Sequence, residues 1–115
     1  MGELARIEAA DGEGVRVVRV SGEIDLSNAR EVFDTIGANL PADTACLVID
    51  LSETTYLDSS GIAMVFRLVD KLKCSRQQLR LVVPPDAPIR AVVDLTKLSA
   101  VVPVDDAHAS PSSEH

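Results

Sequence analysis

The sequence predicts a single α/β domain: a mixed β-sheet with mainly parallel central strands, and helices packed against it. Three observations carry this. Cys46, Leu47, Val48 and Ile49 form an unbroken apolar run of the kind found in a strand covered on both faces. A helix follows closely, because Ile62, Val65, Phe66, Val69 and Leu72 recur with a helical period on one side, while Arg67, Asp70, Lys71 and Lys73 point mostly away. Further apolar runs, at 15–20 and 79–83, alternate with helical patterns, giving the order β-β-α-β-α-β-α-β. That alternation requires right-handed crossovers between parallel strands.

Each element has a local reason. Residues 4–9 alternate weakly and suit a short edge strand, with Asp11 and Gly12 as a hairpin turn. Val15, Val17, Val18 and Val20, interrupted by Arg16 and Arg19, read as a strand with one face partly exposed, ended by residues 21–25. A helix starts at Ser27 or Asn28, where Asn28 and Glu31 have capping-box spacing and Ala29, Val32, Phe33, Ile36 and Leu40 keep the period until Pro41. After the central strand and a polar turn comes the second helix, then a strand at Leu79, Leu81, Val82 and Val83 that Pro84 and Pro85 terminate. Asp86 is placed to cap a third helix, with Pro88 in its first turn and Ile89, Val92, Val93 and Thr96 on its buried side. A last strand is expected at 101–104. The domain is therefore expected to span 4–104, with 105–115 a flexible tail of Asp, Ala, Ser, Pro and His.

Composition narrows the function. The 115 residues allow one modest core, burying ~65% of the unfolded surface. With only Phe33, Phe66 and Tyr56 as aromatics, that core is aliphatic. A net charge of -7 argues against nucleic acid as a partner, since phosphates need an excess of Lys and Arg. Arg67, Lys71, Lys73, Arg76 and Arg80 nevertheless form a basic stretch, read either as solvated surface or as a contribution to protein recognition. No apolar run reaches the ~20 residues of a membrane span, and the acidic N-terminus lacks the pattern of a signal peptide, so no membrane insertion and a cytoplasmic location are expected. Cys46 and Cys74 have no metal or redox spacing, and His108 and His115 lie in the tail; neither metal nor cofactor is expected.

The chemistry concentrates where the central strand hands over to its helix, at Tyr56-Leu57-Asp58-Ser59-Ser60-Gly61. A serine in a first helical turn has two readings, an N-cap and a phosphoacceptor, and the two can share the site with Ser59 capping and Ser60 facing outward. Gly61 would leave the approach to the serines unobstructed. Asp58, two residues from Ser60, would repel a phosphate there, making modification a switch of surface charge. Hydrolytic readings fare badly: the motif matches neither GxSxG nor SxxK, and no histidine in the foldable part can act as a base. GxxxxGK[ST] and GxGxxG are both absent.

Three stretches, VVRVSGEIDLSNA at 17–29, VIDLSETTYLDSSGIAMVF at 48–66 and LTKLSAVVPV at 95–104, resemble the STAS domains, most closely the small free-standing anti-sigma factor antagonists of bacteria. The middle stretch is specific, and the others arrive at the distances the family expects. The resemblance implies a STAS-like fold and a binding protein, not an enzyme. Its partner would be an anti-sigma factor with ATP-dependent serine kinase activity, which the unmodified antagonist binds, freeing the sigma factor. Phosphorylation of the second serine of DSSG, here Ser60, would prevent binding, and a serine phosphatase would restore it. Asp25, Asp58, Ser59, Ser60 and Gly61 are the implied partner-binding residues. The alternatives are a STAS accessory subunit of a lipid transporter or stress-signalling scaffold and, from another class, a small hydrolase.

Overall fold

The computed structural model of the chain describes residues 5–38 and 40–106. Strand β1 (Ala5–Gly12) and strand β2 (Val15–Ile24) form an antiparallel hairpin. The turn falls at Glu13 and Gly14, later than expected, because Asp11 pairs across the ladder with Arg16 and Gly12 with Val15. Arg16 clamps Asp11 through two hydrogen bonds of 2.7 and 3.0 Å, which extends the ladder. Gly14 takes φ +73°, a conformation that glycine adopts without strain.

Helix α1 (Ala29–Ala38), strand β3 (Cys46–Asp50), strand β4 (Thr54–Leu57), helix α2 (Ser59–Cys74), strand β5 (Gln78–Val82), helix α3 (Arg90–Leu95) and strand β6 (Val104–Asp105) follow in order. The six-stranded sheet runs β1-β2-β3-β5-β6, with β4 alongside β2. All pairings except β1 with β2 are parallel. Register lines up Val18, Ile49 and Leu81 across three strands, and all are buried in one cluster with Val32 and Ile36 of α1 and Val65, Leu68 and Leu72 of α2. The central apolar runs thus become the sheet floor, and the helical periods become its cover.

Several expectations need correction. The polar turn after β3 contains β4, which Thr54 disguises: its side chain is fully buried, and Oγ1 donates to the Val20 carbonyl at 2.7 Å. Helix α2 buries Ile62, Val65, Val69 and Leu72 as expected, but its buried face also takes in Met64 and Leu68 and leaves Phe66 38% exposed at its margin. Asn28 does not form the capping box. Its Oδ1 turns back to accept from the Asp25 N–H, and its Nδ2 donates to the Glu23 carbonyl, so the start of α1 is tied to the end of β2.

Asp86 caps nothing, because α3 begins only at Arg90, with Ile89 at its N-cap position and no side-chain cap. Thr96 lies beyond the last turn, donating Oγ1 to the carbonyls of Val92 and Val93. The last strand begins later than expected, after a 3-10 turn at Leu98–Ala100 and after Pro103, which has no N–H to give a ladder. Asp105, placed in the expected tail, pairs instead with Val82 and accepts two hydrogen bonds from Arg80 at 3.0 and 2.9 Å. The expected domain start at Leu4, and residues 107–115 with both histidines, lie outside the described residues.

Candidate partner-binding site

Strand β2 pairs with β3 as far as Arg19 and Asp50, and then with β4 from Gly22 to Ile24. Asp50 turns the chain between the two partners. Its carboxylate is buried, with Oδ1 accepting from the Ser52 N–H at 2.9 Å and the Ser52 hydroxyl at 2.6 Å, and Oδ2 lying 3.6 Å from the Arg19 guanidinium. The register shifts between Gly22 and Glu23, at a bulge where Gly22 takes φ +95°. Beyond it Ile24 pairs with Leu57, so the next residues, Asp25 and Asp58, emerge side by side at the carboxyl ends of two parallel strands. In parallel α/β sheets this is where ligands bind.

Asp58 is the N-cap of α2, correcting the expectation that Ser59 or Ser60 would cap it. Asp58 Oδ1 accepts from the backbone N–H of Ser60 at 2.9 Å and of Gly61 at 3.2 Å. Its Oδ2 accepts from the Leu26 N–H at 3.3 Å, fastening the loop after β2 to the start of α2. Asp25 is held in turn: its Oδ1 accepts from the Ser27 N–H at 2.9 Å and the Ser27 hydroxyl at 2.6 Å. One carboxylate organises each loop, and the two loops are bonded to one another.

Freed from capping, Ser59 is exposed and Ser60 half-buried on the first turn of α2. Gly61 is placed differently from what an unobstructed approach requires. It is buried beneath that turn, and a Cβ on it would overlap Leu57 Cδ1 and stand 3.2 Å from Leu57 Cγ and Ile24 Cγ2. Glycine at 61 lets the first turn settle onto the ends of β2 and β4. Asp25, Asp58, Ser59 and Ser60 thus gather at one end of the sheet, with Gly61 as the floor under them.

One further residue belongs to this surface and escaped sequence reasoning. Leu26, whose N–H donates to Asp58, is 81% exposed next to Asp25. The available signal for Leu26 was an apolar residue inside the turn-forming run Asp25-Leu26-Ser27-Asn28, outside the helical period that follows. Among the described residues no group of three or more His, Cys, Asp and Glu is arranged to hold a metal ion, and no helix is long and apolar enough to cross a membrane.

The family model described as the STAS domain matches residues 6–110. The chain belongs to the STAS domain family. It is similar to the anti-sigma-F factor antagonist RsfB of Mycobacterium tuberculosis, with 35% identity over 66 residues, covering 57% of this chain and 54% of RsfB. It thus spans about half the length of the curated relative it matches. Among solved structures it is similar to an anti-sigma factor antagonist from Mycobacterium paratuberculosis, with 32% identity, 90% of this chain and 86% of the other covered, and a TM-score of 0.78. The phosphorylated form of the Bacillus cell fate determinant SpoIIAA shares the fold, with 17% identity, coverage of 94% and 93%, and a TM-score of 0.63. The STAS resemblance of the DSSG stretch is thereby borne out across the sheet and helices that carry it.

Proposed function

We propose that this STAS domain is an anti-sigma factor antagonist that works by partner switching in the cytoplasm. Unmodified, it binds an anti-sigma factor with ATP-dependent serine kinase activity and releases the sigma factor. That kinase phosphorylates Ser60, the modified protein no longer binds, and a serine phosphatase resets it. Asp25, Asp58, Ser59 and Ser60 form the contact surface, with Gly61 letting the first turn of α2 sit where the partner meets it. The antagonists among its relatives support this reading.

The observation that carries the mechanism is the double use of Asp58 Oδ1 by the N–H groups of Ser60 and Gly61. A phosphate on Ser60 adds a charge of about -1.5 to -2. The donors that normally welcome an anion at a helix start are already committed to Asp58, whose own charge repels the newcomer. The phosphate therefore stays turned to the surface, as charge that a partner must bury. Burying it unpaired costs several kcal/mol, and each ~1.4 kcal/mol is tenfold in affinity, so one modification is enough to end the complex.

The test is capture from native cytoplasm by tagged wild type, Ser60→Ala and Ser60→Asp, with captured proteins identified by mass. Wild type and Ser60→Ala should retain a small ATPase of the serine-kinase type, and Ser60→Asp should lose it. Retention of transporter or scaffold proteins instead, or capture indifferent to Ser60→Asp, would overturn the assignment.

A further inference from the structure

Ser60 is not alone on its side of α2. At 100° per residue, Arg67 and Lys71 fall within about 20° of the line through Ser60, and Arg67 lies about 10 Å further along the axis. Both cations are exposed, and both are drawn to one ring of the neighbouring helix: the Arg67 guanidinium carbon lies 4.7 Å and Lys71 Nζ 5.9 Å from the centre of Phe33. Elsewhere in the basic stretch, Arg80 is neutralised by Asp105. Among the described residues, Arg67 and Lys71 have no carboxylate within ion-pair distance.

A protein of net charge -7 thus keeps two cations side by side over an aromatic ring, with no carboxylate partner among the described residues, about two and three helical turns from its candidate phosphoacceptor. An aromatic face holds a guanidinium in place while leaving its hydrogen-bonding edge open, so little side-chain freedom remains to be lost when a carboxylate arrives. We infer that Arg67 and Lys71, positioned by Phe33, are a docking point for an acidic segment of the kinase that acts on Ser60. This rests on the partner-switching reading and extends it: the partner contacts α2 along its exposed side, from Ser60 through Ala63 to Arg67. The cations attract the partner, and modification at the other end of the same line releases it.

The experiment is calorimetric titration of the purified kinase with wild type, Ser60→Asp, Arg67→Ala, Arg67→Glu and Arg6→Glu, at low and physiological salt. Arg6 is exposed on β1, and its reversal changes net charge equally, separating local docking from general attraction. Arg67→Glu should weaken binding about tenfold or more and Arg67→Ala less, with a flattened salt dependence, while Arg6→Glu binds nearly as wild type. Phe33→Leu, which keeps an apolar contact but removes the ring face, should fall between wild type and Arg67→Ala. Wild-type affinity in Arg67→Glu, together with loss in Ser60→Asp, would overturn the docking point and leave partner switching intact. Equal weakening by Arg6→Glu and Arg67→Glu would also overturn it. If wild type itself does not bind, the partner-switching reading falls, and the docking point with it.

Discussion

Removing the Asp58 carboxylate should loosen the whole functional end of the domain. In Asp58→Ala, α2 loses its N-cap, worth about 1 kcal/mol, and a favourable charge at its positive end, worth about 0.3–1 kcal/mol. The Leu26 N–H loses its partner as well, but it is exposed and can turn to water, so this adds only about 0.5 kcal/mol. Relief of repulsion among the protein's excess acidic groups acts in the other direction and is largely screened at physiological salt. The total is about 2 kcal/mol.

For 115 residues, an unfolding entropy of about 0.24 kcal/mol/K converts that to a Tm about 8 °C lower. Asp58→Asn separates the contributions. Asparagine still caps the helix but loses the charge and turns an amide donor toward Leu26, so a loss of about 1 kcal/mol, near 4 °C, is expected. Thermal and urea unfolding followed by circular dichroism measures both. An Asp58→Ala protein within 2 °C of wild type, or an Asp58→Asn protein as unstable as Asp58→Ala, would refute the assignment of Asp58 as the bond between the two loops.

Gly61→Ala should destabilise by about 1–2 kcal/mol despite the better helix propensity of alanine, because the new methyl meets the buried Leu57 and Ile24; urea unfolding that shows a gain would contradict the packing. Thr54→Val keeps the shape but leaves the Val20 carbonyl without its buried donor, costing about 1–2 kcal/mol by the same assay, and an unchanged midpoint would count against this role. The hydrogen bonds from Arg80 hold the Asp105 carboxyl below its ordinary value. A carboxyl depressed on folding stabilises above its unfolded-state value, near pH 4, and loses that contribution as pH falls through the lower folded value. The pair is partly exposed, so its worth is below about 1 kcal/mol; Asp105→Asn should lower stability at pH 7 and match wild type near pH 2, and an equal deficit at both would refute the pairing.

Much of this architecture was legible because the strongest signals were periodic. The apolar run 46–49 and the helical spacing of Val65, Val69 and Leu72 are imposed by burial on a strand and a helix, and both elements lie where those patterns put them. Strand β4 was hidden because one of its two buried side chains is a threonine, whose hydroxyl is satisfied by a hydrogen bond to Val20, 34 residues away. The cap of α2 was misplaced by one residue for a related cause. Asp58, Ser59 and Ser60 are all competent caps, and only the position of Leu26 on a distant loop favours the carboxylate, which alone reaches both partners. Phe33 and Arg67 come from different helices, so no linear spacing joins them. What could be read was local in sequence or repeated, and what could not depended on contacts that exist only once the chain is folded.

The central claim is that charge at Ser60 decides whether the partner is held. The most direct measurement is the affinity of the purified kinase for this protein before and after stoichiometric phosphorylation, with the modified residue located by peptide mass and the phosphate then removed by a phosphatase. The account predicts modification at Ser60, at least a hundredfold loss of affinity, and full recovery on dephosphorylation. Modification elsewhere, or equal affinity of the two forms, would contradict it.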